Sequence, residues 1–214
     1  LFDIGIEKVN SATYRTGVAA GSSDGTADKN VGAGKPVLFN LKFSDAARNN
    51  FDFDPSFYGG GAGGNRMVRD AETGIDTYNV YTTGDIKKRL LTAGLERTMN
   101  IRKVYDGTTT ADKSNLSILN FVNKADEGKL KTTATFDKAT ATVDPDPGAA
   151  ATNTRRITYT ATLTGDAADN YAFDTLTGPA NKTLTATGDI ERRKVYAKVT
   201  GAREKTYDAG TKVL

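Results

Sequence analysis

The four-residue sequence Thr-Gly-Asp-Ile occurs twice in this chain, at 83–86 and again at 187–190, 104 residues later. Each copy leads through a basic stretch into a second shared motif. Lys103-Val104-Tyr105-Asp106-Gly107-Thr108 follows the first copy, and Lys205-Thr206-Tyr207-Asp208-Ala209-Gly210-Thr211 follows the second. The two tyrosines stand 102 residues apart. A period of that length is the size of one small domain, so the 214 residues read as a stretch of a tandem array.

Between the motifs the hydrophobic period is two. In Ile157 to Thr164 one face carries Ile157, Tyr159, Ala161 and Leu163 while the other is all threonine. That pattern predicts an antiparallel strand with one face in a core and one in water. Pro36 to Ser44 predicts another, with Val37, Phe39, Leu41 and Phe43 inward and Leu38, Asn40 and Lys42 outward. Leu130, Thr132, Ala134 and Phe136 alternate likewise. Near Asp137-Lys138 the register shifts, and Ala139, Ala141 and Val143 continue beyond a bulge or tight turn. Val80, Thr82, Gly84 and Ile86 match Leu184, Ala186, Gly188 and Ile190 in position and parity. No window sustains a helical stripe; 45–50 and 112–119 hold at most a short turn of helix each. The predicted class is all-β, as tandem Ig-like antiparallel β-sandwich modules of about 100 residues. β-grasp-like modules are the alternative.

The units align further. Leu41 to Asp54 corresponds to Leu163 to Asp174, with Phe51 matching Tyr171 at an offset of 120. The first unit therefore carries 16 extra residues before its Thr-Gly-Asp-Ile, in a glycine-rich insertion at 55–77. Five of the six residues from Gly59 to Gly64 are glycine, flanked by Phe57, Tyr58, Arg66 and Arg69. Loops that depart from a repeat are where binding is commonly grafted, and Tyr and Arg are favoured contact residues. These four form the candidate binding loop; its bland counterpart is a tolerated glycine-rich excursion.

The repeat phase divides the chain into 1–88, a module lacking its opening strand; 89–102, a linker or strand; 103–190, a complete module; and 191–214. The last segment reads either as the opening strands of a further module or as a donor strand. Leu1 reads as an internal residue and the chain as a window on a longer protein. Alternatively, residues 202–214 of one subunit complete the first module of the next, a head-to-tail contact that builds an open fibre.

Composition removes several chemistries. Cys and His are absent, which excludes thiol catalysis, imidazole acid–base chemistry and structural zinc. Net charge is only +3, and the tight basic runs are Lys87-Lys88-Arg89 and Arg192-Arg193-Lys194, at equivalent places in the repeat. No aromatics interleave with them, so they read as solvated strand ends or inter-domain joints rather than a nucleic-acid surface. No apolar run reaches membrane-spanning length.

Lys103-Val104-Tyr105-Asp106-Gly107-Thr108-Thr109 resembles the opening of the YDG-type repeats of large, filamentous-haemagglutinin-like bacterial surface adhesins, which are similar to MBG repeats. The later order fits: Gly165-Asp166, Asn170-Tyr171, then Thr187-Gly188-Asp189-Ile190 before basic residues. The resemblance covers 103–190 well and 1–88 only in its second half. The later copy departs from it, with an extra residue between Asp208 and Gly210. The resemblance implies a secreted, surface-attached protein of many β-sandwich modules, acting as a stalk or adhesive surface, with no catalytic site. Locally, Tyr105 ends a strand, Asp106 bonds the next turn and Gly107 supplies positive φ, so Lys103, Tyr105, Asp106 and Gly107 read as structural punctuation. Lys205, Tyr207 and Asp208 repeat it.

Other chemistry finds little support in the spacing. Asp24 and Asp28, Asp52 and Asp54, and Asp144 and Asp146 cluster as calcium ligands can, but without EF-hand spacing. Lys103 and Asp189 suit an isopeptide crosslink only in general placement. No carboxylate pair stands out for glycoside hydrolysis, and Gly59 to Gly64 lacks the Lys-Ser/Thr of a phosphate loop. The expectation is a non-enzymatic structural or adhesive segment with no cofactor. Its expected partners are neighbouring copies of the module and a host glycan or protein.

Overall fold

A computed structural model describes residues 6–18, 25–51, 66–69, 76–145, 148–201, 207 and 210, with 66–69 and 76 described by their backbone alone. The chain is all-β, and its pairing is mostly antiparallel. In order the strands are β1 (Ile6–Thr16), β2 (Thr26–Ala27), β3 (Gly32–Phe43), β4 (Arg66–Arg69), β5 (Asp76–Ile86) and β6 (Arg89–Leu95). Then come β7 (Ile101–Val104), β8 (Leu116–Leu119), β9 (Leu130–Phe136), β10 (Arg155–Leu163), β11 (Tyr171–Phe173) and β12 (Asn181–Glu191). Three short helices, α1 (Asp45–Asn50), α2 (Lys124–Glu127) and α3 (Asp166–Asn170), interrupt them. Lys113–Asn115 is a turn of 3₁₀-helix feeding β8, so the helix-turn prediction for 112–119 holds only for its first half.

The chain forms two compact units: 1–94 with 118–131 and 161–182, and 95–117 with 132–160 and 183–214. In the first, the sheet order is β2-β1-β3-β5-β4. Central β3 departs from its sequence pattern. Val37 and Phe43 are buried as predicted, but so is Leu38, which was expected to face outward. Leu38 pairs with the buried Tyr81 of β5, and along the same face the Asn40 amide donates to Thr77 Oγ1 (2.9 Å) and Asn79 Oδ1 (2.8 Å). Both faces of this strand are thus covered, and the buried Thr77 and Asn79 are satisfied by accepting from half-buried Asn40. In α1 the Ser44 hydroxyl accepts from the Ala47 amide, and both Ala47 and its repeat counterpart Ala167 in α3 are buried.

A further sheet has the order β7-β12-β10-β9, and the core of the second unit is Phe136, Ile157, Tyr159, Ala186 and Ile190. The alternation read from β10 is realised throughout: Ile157, Tyr159, Ala161 and Leu163 are all buried. Ala134 and Phe136 do the same in β9. Beyond Phe136 the strand stops, and Val143 returns to make an isolated parallel bridge with Glu191. Pairing is not wholly antiparallel as expected. β12 runs parallel to β7, with Gly188 opposite Ile101 and Ile190 opposite Lys103, and β11 runs parallel to β6. Parallel partners need long crossovers, and both pairs join strands far apart in sequence, where local periodicity carries no sign of direction.

Candidate functional site

The two repeated motifs meet in the second unit, because β7 ends in the tyrosine motif and β12 carries Thr-Gly-Asp-Ile. Lys103 folds back along the turn it precedes. Its ammonium pairs with Asp106 at 2.7 Å and donates to the carbonyls of Thr108 (3.0 Å) and Thr110 (2.8 Å). Asp106 Oδ1 also accepts from the Thr108 amide and hydroxyl, both at 2.9 Å. Gly107 has φ +82°, which side-chain-bearing residues rarely adopt. The motif is therefore a side-chain-capped turn clasped by a lysine, and Tyr105 lies partly exposed at its edge.

The Lys103 ammonium, then the Thr108 amide and hydroxyl, hold the Asp106 carboxyl down from 3.8 to about 2. A depressed folded-state value contributes stability that is complete above the unfolded value and lost as pH falls through the folded one. Asp106→Asn is therefore expected to flatten the fall in Tm between about pH 4 and pH 2, with little change in slope near neutrality. Thermal melts of the two chains across that range check it; parallel curves would show that the clasp contributes nothing.

Asp189 is fully buried, yet no cation pairs with it among the described residues. Its Oδ1 accepts from the hydroxyls of Thr152 (2.6 Å) and Thr142 (3.2 Å), and its Oδ2 from the amides of Thr152 (2.9 Å) and Asn153 (3.0 Å). A longer bond from the Thr154 amide, 3.4 Å, completes the set. Burial pushes this carboxyl up, but the bonds from Thr152, Asn153, Thr154 and Thr142 outweigh it and leave the group below its ordinary value. Asp189 thereby ties the 142 and 152–154 loops to the last strand. Lys103 and Asp189 are held by separate sets of partners. In the first copy Asp85 is exposed, and its Oδ1 accepts from the Gly34 amide at 2.8 Å.

The remaining predicted residues are scattered. Phe57, Tyr58, Lys205 and Asp208 lie outside the described residues. Arg66 and Arg69 begin and end β4, opposite Asn79 and Asp76. Tyr207 is 91% exposed. Of the acidic clusters, Asp24, Asp52, Asp54 and Asp146 also lie outside the described residues, whereas Asp28 pairs with Lys35 and Asp144 with Arg192.

Sequence reading missed an open cleft of about 260 Å³ in the first unit. Lys29, Lys87 and Arg89 line it together with Ile86 and Val122, and Tyr171 donates to Asp126 Oδ2 at 3.0 Å within it. Its lining comes from four separate stretches of chain, which no local pattern connects. The cleft brings three cations together with the apolar side chains of Val31, Ile86 and Val122.

Residues 87–178 match the YDG domain family, and a YDG domain is found there. The match begins directly after the first Thr-Gly-Asp-Ile, so it takes in β6 as well as the Tyr105-Asp106-Gly107 turn. No curated protein and no solved structure matches the chain.

Proposed function

We propose that this chain is a non-enzymatic structural and adhesive repeat segment of a secreted, filamentous-haemagglutinin-like bacterial surface protein, built as an array of modules. The observation that carries this reading is the YDG domain at 87–178, set within a sequence that repeats at 104 residues. The motif geometry supports it. Both shared motifs are consumed by internal bonds, in the Lys103–Asp106 clasp and the Asp189 tie, which suits a part that holds shape. Threonine-rich outward faces keep such strands in water without a greasy patch. Adhesion assigns contact with a host glycan or protein to the insertion that carries Phe57 and Tyr58 and runs into β4, with Arg66 and Arg69 at its ends.

Antibodies raised against the chain are expected to label intact cells of the producing bacterium and to lose that signal after brief external proteolysis. Labelling that needs lysed cells would overturn the surface assignment. A second reading, a filament subunit completed by a donated strand from 202–214, draws on the exposed Tyr207. It requires fibres in negative stain that vanish from a chain ending at Gly201.

A further inference from the structure

β6 enters the first unit as a middle strand, with β11 on one side and β8 on the other. Along it Leu91 is buried, Ala93 and Leu95 are half-buried, and Thr92 faces out. The 104-residue repeat places Arg193 to Val199 at the positions of β6. Val195, Ala197 and Val199 fall where Leu91, Ala93 and Leu95 stand, and Lys194, Tyr196 and Lys198 fall on the outward positions. The alternation is thus preserved, apolar on one face and polar or amphipathic on the other. The environment is not. Residues 192–201 form no strand, and Val195 is 86% exposed where Leu91 is 4% exposed. Tyr196 and Val199 are exposed as well. A segment with the composition and phase of a central strand, but uncovered, is a strand awaiting a sheet.

We infer that residues 193–199 form the inserted strand of a further YDG-type module, seated between that module's equivalents of β8 and β11. Neighbouring modules would then interlock by a strand that follows each Thr-Gly-Asp-Ile, as β6 follows Ile86. The inserted face is Val195, Ala197 and Val199. The strand direction is the one β6 shows, parallel to the β11 equivalent, with Arg193, Lys194 and Val195 opposite the counterparts of Tyr171, Ala172 and Phe173. This inference rests on the modular-array reading but not on the cellular location, so cell labelling and the experiments below fail independently.

The direct test appends a copy of residues 112–191 after Leu214 and follows amide hydrogen exchange by mass spectrometry. In the 214-residue chain 195–201 is expected to exchange freely. In the extended chain it is expected to become protected, and Val195→Asp is expected to remove that protection. An appended copy that shows protected β10 amides while 195–201 still exchanges freely overturns the inference. An appended copy that never acquires protection does so too, since the segment has then failed to complete it. A graft gives an independent reading: the L90K/L91V/T92Y/G94K/L95V chain writes Arg193 to Val199 into β6. Retained protection of β8 and β11 is expected; their loss shows that this sequence does not fit the slot and overturns the assignment.

Discussion

Asp189→Ala is expected to lower the unfolding free energy by about 2–3 kcal/mol. The mutation removes the shared acceptor of two amides and two threonine hydroxyls, with the Asp189 side chain fully buried while Thr152 lies at the surface and Asn153 and Thr142 are half-buried. Bonds to a charged acceptor contribute about 1.5–3 kcal/mol each, and relief from burying the charge offsets part of their sum. Asp189→Asn separates geometry from charge. Its carbonyl can take the Oδ2 position and keep the Thr152 and Asn153 amides, while rotatable threonine hydroxyls accept from its amide nitrogen. A loss of about 1–2 kcal/mol is expected. Urea unfolding followed by circular dichroism checks both. Equal losses would mean that charge, not connectivity, is what the site requires. Because the folded-state value is depressed, the contribution is complete above the ordinary carboxyl range and disappears as the solution is acidified below it.

Gly188→Ala should cost about 3 kcal/mol, although the change adds only one methyl group. Gly188 lies opposite Ile101 in the parallel pair, and a Cβ there would stand 2.3 Å from the Ile101 carbonyl oxygen and 3.0 Å from Ile157 Cδ1. Backbone cannot retreat without parting β7 from β12. The first-copy glycine makes an internal control. A Cβ on Gly84 would meet the Tyr14 ring and hydroxyl and Val37 Cγ2 at 3.0–3.2 Å, all of them side-chain atoms able to shift. Gly84→Ala is expected to cost less than about 1 kcal/mol. Similar losses at both positions, measured by urea unfolding, would contradict the parallel register.

The strands that alternate most regularly were the most legible. Ile157, Tyr159, Ala161 and Leu163 are buried as their spacing requires, because β10 has one wet face and one dry face. Leu38 was misread for the complementary reason: a strand covered on both sides gives no contrast for a period of two to report. The direction of β7 and β11 was invisible, since pairing partners 70 or more residues away leave no mark on local composition. The Asp106 turn follows directly from Asp, Gly and Thr at those spacings. The partners of Asp189 were not readable, because Thr142 and residues 152–154 belong to irregular loops without periodicity. The cleft was hidden likewise, its cations and apolar side chains being assembled from residues as far apart as Lys29 and Tyr171.

The claim that the repeated sequence carries structure rather than chemistry is tested most directly by amide exchange at Thr152 and Asn153, loop residues that owe their order to Asp189. Both amides are expected to exchange as slowly as the core amides of β10 in the native chain, and at least tenfold faster in Asp189→Ala, which removes their acceptor; tenfold corresponds to a loss of about 1.4 kcal/mol. Exchange in the native chain at the rate of an exposed loop would show that the buried aspartate ties nothing down.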